Sequence, residues 1–136
     1  MPKENWQKLP MCHKEAEKLS IILVCDGAAS VGQVGHEVGV KLTKDMPEEA
    51  RMCCLAAVAA GSKPHVEIAQ KAKRLIAING CANKCTSKIL ANLNIKPHFE
   101  YTIVEKVVEK VPTLDFDEAD VERIANEISK EIEAHL

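Results

Sequence analysis

Two short apolar runs rich in branched side chains, Ser20-Ile-Ile-Leu-Val24 and Arg74-Leu-Ile-Ala-Ile78, constrain this chain more than anything else in it. A strand with one face in water alternates apolar and polar residues. A strand that is apolar throughout is covered on both faces, the situation of a parallel sheet between helices. Each run ends in a turn, Cys25-Asp-Gly-Ala-Ala-Ser30 after the first and Asn79-Gly80 after the second. Beyond the first turn the spacing becomes helical. Ser30 is the predicted N-cap, and Val31, Val34, Val38 and Leu42 form one buried stripe. Gly32, Gly35 and Gly39 are poor helix formers there and imply close packing against a neighbouring backbone or a ligand.

The rest of the chain repeats the alternation. Arg51-Met-Cys-Cys-Leu55, leading into Ala56-Ala-Val-Ala-Ala60-Gly61, reads as a short buried strand that turns at Cys54 into a small-residue helix. Residues 64–73 carry Val66, Ile68, Ala69 and Ala72 in a helical setting. A helix is predicted over 81–93, with Cys85, Ile89 and Leu93 on a shared face and Asn94 and Pro97 as its stop. Phe99-Glu-Tyr-Thr-Ile-Val104 alternates as an edge strand does. Asp117 is the predicted cap of a last helix with Val121, Ile124, Ala125, Ile128 and Ile132 on its buried stripe. The order β-α-β-α-β-α-β-α predicts an α/β three-layer sandwich with a mostly parallel four-stranded sheet, Rossmann-like or flavodoxin-like. It occupies residues 20–136 as a single domain, behind an N-terminal arm over 1–19 with a helical turn around 14–18.

Composition excludes several function classes. With 46% apolar and 28% charged residues the chain is of globular, not disordered, character. A net charge of −2 and 3% aromatics leave neither a basic footprint nor a base-stacking platform, so no nucleic-acid partner is expected. No apolar run approaches bilayer length, and the start, Met1-Pro-Lys-Glu-Asn-Trp6, lacks a signal-peptide core. The expectation is therefore no membrane partner and a cytoplasmic location, where thiols stay reduced. In that setting six cysteines read as metal ligands or redox groups rather than as a disulfide framework.

Five of the six stand where an apolar run gives way to a turn: Cys25, Cys53 with Cys54, and Cys81 with Cys85. A single buried cysteine is as readily a small hydrophobe as a ligand. Three strand ends meeting at one edge of a parallel sheet are a stronger signal. Cys81 and Cys85, four apart in the first turn of a predicted helix, would share a face near its positive end, which favours thiolate. Of Cys53 and Cys54, adjacent on an extended strand, only one would face the site. Cys12-His13, in the arm, is assigned no role.

Several of these segments resemble one family. Cys25-Asp-Gly-Ala-Ala-Ser-Val-Gly-Gln33, Arg51-Met-Cys-Cys-Leu-Ala56, Ile76-Ala-Ile-Asn-Gly-Cys81 with Cys85, and Lys88-Ile-Leu90 are similar to the DGC-domain family, small proteins credited with zinc binding on the strength of four chelating cysteines. The resemblance runs from about Ile21 to the end of the chain. It implies Cys25, Cys54, Cys81 and Cys85 as ligands of a zinc ion, with Cys53 the alternative to Cys54, and it supplies no reaction. Asn79 stands where the family name places aspartate, keeping the turn chemistry and losing the carboxylate.

Two other chemistries use the same thiols. An iron–sulfur electron carrier would need the same four cysteines. A thiol redox or sulfur-transfer enzyme would use Cys25 or Cys81 as nucleophile, with Cys53, Cys54 or Cys85 resolving it. A cysteine-phosphatase loop is excluded, because Val31 stands where the phosphate-gripping arginine would be. Gly27, Gly32 and Gly35 do not match a dinucleotide fingerprint. Of the scattered histidines His13, His36, His65, His98 and His135, only His36, following the Cys25 turn, is a candidate ligand, and surface residence is the commoner fate of each.

Overall fold

Parallel pairing of the two apolar runs sets the architecture. In a computed structural model that describes residues 3–135, β1 (Ser20–Val24) runs beside β3 (Arg74–Asn79), with Ser20 opposite Arg74 and Val24 opposite Ile78. Met1, Pro2 and Leu136 lie outside the described residues, so the arm expected over 1–19 is described from Lys3 onward. β2 (Ala50–Met52) pairs with the other side of β1, and β4 (Phe99–Thr102) with the other side of β3. All three pairings are parallel and the order is β2-β1-β3-β4. The expected α/β sheet is there, and its order is the doubly wound one with the switch between β1 and β3.

Alternation along the strands divides the core. Ile22, Val24, Ile76 and Ile78 face α2 (Ser30–Asp45) and α6 (Glu118–Glu133), and they pack with Val34, Val38, Leu42, Ile124 and Ile128. Ile21, Leu23, Leu75 and Ala77 face α3 (Leu55–Ala59), α4 (Lys63–Lys71) and α5 (Cys85–Asn92). The stripes predicted for α2 and α6 are the buried ones. Each such valine, leucine or isoleucine contributes roughly 1.5–3 kcal/mol by leaving water. Asp117 caps α6 as expected, its carboxylate accepting from the Ala119 N–H at 2.9 Å.

The glycines of α2 let it sit directly on the sheet edge. A Cβ on Gly32 would lie 2.2 Å from the Gly27 carbonyl oxygen, and one on Gly39 would lie 3.0 Å from Val24.

Two local expectations are corrected. Ser30 is the first helical residue and not the N-cap; Ala29 occupies the cap position. The Ser30 hydroxyl instead donates to the Glu109 carbonyl at 2.7 Å and accepts from the Val111 N–H at 2.8 Å, a long-range tie that outcompetes local capping. The helix predicted over 81–93 begins only at Cys85. Residues 81–84 form a turn closed by the Lys84 N–H on the Cys81 carbonyl at 3.0 Å, with Lys84 left-handed at φ 50°. The start is set from the strand: the Asn79 side-chain oxygen Oδ1 accepts from the Ser87 N–H at 3.1 Å, so α5 is anchored at its third residue.

Before the sheet, α1 (Cys12–Glu15) and a 3₁₀ turn (Ala16–Lys18) bury Ala16 against the α4 side. The Lys73 N–H donates to the Ala16 carbonyl at 3.0 Å, and Arg51 Nε to the Pro10 carbonyl at 2.9 Å. Among the described residues no helix is long and apolar enough to cross a membrane.

Candidate functional site

The carboxyl edge of the sheet carries the cysteines. Beyond β1, the Cys25 N–H continues the ladder by donating to the Ile78 carbonyl at 3.2 Å. Beyond β2, the Cys53 N–H does the same to the Ile22 carbonyl at 2.9 Å. Beyond β3 come Gly80 and Cys81, with the Gly80 carbonyl accepting from the Val104 N–H at 3.0 Å. Neighbouring strands are about 4.8 Å apart, so three successive strands deliver cysteine-bearing turns to one edge with β1 in the middle.

The sulfurs nevertheless fall into separate groups. Cys25 and Cys54 line one cleft of about 330 Å³ together with Asp26, His36, Cys53 and Ile89. Cys25 is half-buried and Cys54, the cap residue of α3, is exposed. Cys81 and Cys85 are not among the cleft's walls. They stand at the two ends of the 81–84 turn, so the expectation that they share one helical face is corrected as well. Asn83 Nδ2 donates to Cys85 Sγ at 2.9 Å, and Lys88 Nζ to Asn83 Oδ1 at 2.9 Å. The Asn83 backbone N–H holds the Cys81 thiol below its ordinary range, with Lys110 assisting against the opposing effect of burial. Among the described residues no three His, Cys, Asp or Glu side chains close around one point as a metal site.

Glycine at position 80 makes room for the central sulfur. A Cβ there would lie 3.2 Å from Cys25 Sγ and 3.0 Å from the Gly32 nitrogen, so the β3 turn passes between the thiol and the start of α2. Asn79 is buried behind it, its amide donating to Ser87 Oγ at 2.8 Å.

Three features of this edge had little or no signal in the sequence. Asp26 is left-handed, at φ 55°, an uncommon state for a residue with a side chain and one that clusters at functional sites. Its carboxylate lies 3.1 Å from His36 Nδ1. That distance suits an ion pair, while the angle does not meet hydrogen-bond geometry. His36 thereby reaches the same cleft as Cys25 and Cys54. The third feature is a correction: Cys12, assigned no role, is joined by a disulfide to Cys53 across 41 residues. The expectation of reduced thiols pointed away from that pairing, and the free cysteines are Cys25, Cys54, Cys81 and Cys85.

Comparison with known proteins places this edge in context. The model of the DGC domain matches residues 21–128. A curated relative, the anaerobic and virulence modulator AnvM of Pseudomonas aeruginosa, is 25% identical over 114 residues, covering 84% of this chain and 86% of its own. No solved structure matches the chain.

Proposed function

The chain belongs to the DGC-domain family, and on that premise we propose that it is a zinc-binding protein whose metal is held by Cys25, Cys54, Cys81 and Cys85. The observation that carries this reading is the placement of a free cysteine just past the end of each of three adjacent parallel strands. Thiolates are the ligands zinc prefers in closed tetrahedral sites, and four of them would complete its shell. Binding would draw the exposed Cys85 and the 81–84 turn toward Cys25 and Cys54. α5 is anchored independently of the turn, through Asn79 on Ser87. When bound, zinc would hold the turn in place and cover the thiols. A site whose occupancy follows metal supply suits a modulator, the word in the relative's name.

A second reading has an observation of its own. The lowered Cys81 thiol supports thiol exchange or sulfur transfer with Cys81 as nucleophile. One experiment separates the readings: metal analysis and an absorption spectrum on protein purified without oxygen or added metal, beside a Cys81→Ser/Cys85→Ser variant. Zinc in the wild type exceeding that in the variant by about one equivalent, without visible colour, is the expected result. Iron and sulfide with broad visible absorption would make the protein an electron carrier. Equal metal in both, with Cys81 rapidly alkylated, would refute zinc at this edge in favour of thiol chemistry.

A further inference from the structure

A second cluster of soft donors lies on the other side of Cys53. A cleft of about 270 Å³ is lined by Cys12 and His13 of the arm, Arg51, Cys53 and Cys54 of the β2 end, and His65 of α4. Three chain segments distant in sequence contribute thiol or imidazole to this one concavity. Its chemistry is masked, because Cys12 and Cys53 are joined as a disulfide.

The disulfide is not what brings its two halves together. Cys53 is fixed by its own N–H on the Ile22 carbonyl, and the arm is fixed on either side of Cys12 by Arg51 on Pro10 and Lys73 on Ala16. Reduction therefore leaves two thiols facing each other. Their Cα atoms are 7.0 Å apart, at the wide edge of disulfide spacing. Two thiolates on one tetrahedral zinc have sulfurs about 3.8 Å apart, which follows from Zn–S bonds of about 2.3 Å. Side-chain rotation alone spans that change. His65 supplies the third donor: its Nδ1 is engaged with the Ser62 hydroxyl at 2.8 Å, which leaves Nε2 for a metal. A ligating histidine characteristically has its other nitrogen tied in this way. Arg51, also in the wall, directs its Nε and Nη1 to the Pro10 and Met52 carbonyls.

The geometry points to a redox-gated zinc site formed by Cys12, Cys53 and His65, separate from the four-cysteine edge and open at a fourth position for water. In the oxidised protein the site does not exist. A dithiol donates two electrons and two protons, giving two cysteine thiols and its own cyclic disulfide. Zn²⁺ then displaces the two thiol protons and binds both sulfurs and His65 Nε2. The arm is held by a covalent bond in one state and by a metal in the other.

Cobalt, which takes zinc's place in thiolate sites and colours them, reads the site directly. The test uses the full-length Cys81→Ser/Cys85→Ser protein, in which two thiols of the four-cysteine edge are gone and this cluster is intact. It is reduced with a phosphine, freed of the reductant without oxygen, and titrated with Co²⁺ and then Zn²⁺. The expected result is about one equivalent of cobalt with thiolate charge-transfer absorption, bleached by zinc, in reduced protein only. Adding Cys12→Ser should abolish the band, and His65→Ala should weaken binding by about tenfold or more. Far-UV circular dichroism confirms that each variant is folded. A band of equal strength in oxidised protein, or one that survives Cys12→Ser, would overturn the proposal. So would a wild-type band lost entirely with Cys81 and Cys85, an outcome that would leave the four-cysteine reading standing. A band that survives the loss of Cys81 and Cys85 undiminished and disappears with Cys12→Ser would support this site and refute the other.

Discussion

Asn79 is the residue through which the sheet dictates where α5 begins, and removing its amide should be felt at a distance from any thiol. The side chain is 1% exposed and makes two hydrogen bonds, both to Ser87. Asn79→Ala deletes both and leaves the Ser87 N–H, one of the free donors of the first helical turn, without its acceptor. A net hydrogen bond is worth about 1 kcal/mol, and a partly buried donor left unpaired loses about 1–3 kcal/mol. The two estimates overlap on the same groups, so the expected destabilisation is about 2 kcal/mol. For a domain of this length that lowers Tm by roughly 6–8 °C.

Asn79→Asp provides the comparison. The carboxylate keeps the acceptor on the Ser87 N–H, now charge-assisted and close to the positive end of α5, and the Ser87 hydroxyl can turn to donate to it. Against this stands the burial of a charge. The expected loss at neutral pH is at most about 1 kcal/mol, smaller than for alanine. Denaturant unfolding gives both values, and amide exchange at Ser87 localises the effect, protection falling by about tenfold or more in Asn79→Ala. If the alanine variant loses under about 0.5 kcal/mol, or if both variants lose the same amount, the strand-to-helix anchor is not what fixes α5.

Three further outcomes are expected. Tyr101 is the single tyrosine of the chain, and burial, then its hydrogen bond to Glu131 at 2.5 Å and that residue's charge, push its pKa well above the usual value. Because the folded value is the raised one, the stabilisation is complete below the unfolded pKa of about 10 and is lost as pH rises further. Tyrosinate absorbance in folded protein should therefore appear only well above pH 10 and come in early in Tyr101-containing unfolded protein. Gly32→Ala should destabilise by roughly 3 kcal/mol or more, since its Cβ would meet backbone at Gly27 and α2 would have to lift off the edge; a chemical-denaturation midpoint within error of wild type would contradict that. In metal-free protein Cys81 should be the thiol alkylated at the lowest pH, because its Asn83 contact and Lys110 favour the thiolate; Lys110→Gln should move its rate profile to higher pH, as peptide mapping of alkylated protein would reveal.

What was legible in the sequence follows from what burial enforces. The runs at Ser20 and Arg74 could only be covered strands, so the sheet, its parallel sense and the stripes of α2 and α6 were readable from apolar spacing alone. The arrival of Cys25, Cys54 and Cys81 at one edge was readable too, because that is a property of topology. Contacts decided by polar groups far apart in sequence were not. Ser30 looks like a local cap and is taken by Glu109 and Val111; the Asn79 side chain reaches Ser87 and moves the start of α5 by four residues, which parts Cys81 from Cys85. The Cys12–Cys53 pairing left no trace for the same reason, being made across 41 residues between an arm with no apolar pattern and a strand end.

That division also explains why chemistry gathers where prediction fails. The strands end at Val24, Met52 and Asn79, and Cys25, Cys53, Cys54 and Cys81 stand on the first two residues beyond. Rigid strand ends fix which thiols can meet, and exposed turns such as 81–84 set which of them do. A ligand on the four free cysteines then needs to move only turns, not the core, whereas opening the Cys12–Cys53 bond, across 41 residues, costs the fold about 2–4 kcal/mol. The disulfide and the Cys12–Cys53–His65 site are alternative states of one pair, and the other four cysteines are those of the sheet edge. Serine at Cys25, Cys54, Cys81 or Cys85 should therefore alter metal content strongly while shifting stability of the metal-free protein by less than about 1 kcal/mol each, and any of the four whose removal unfolds the metal-free domain would contradict it.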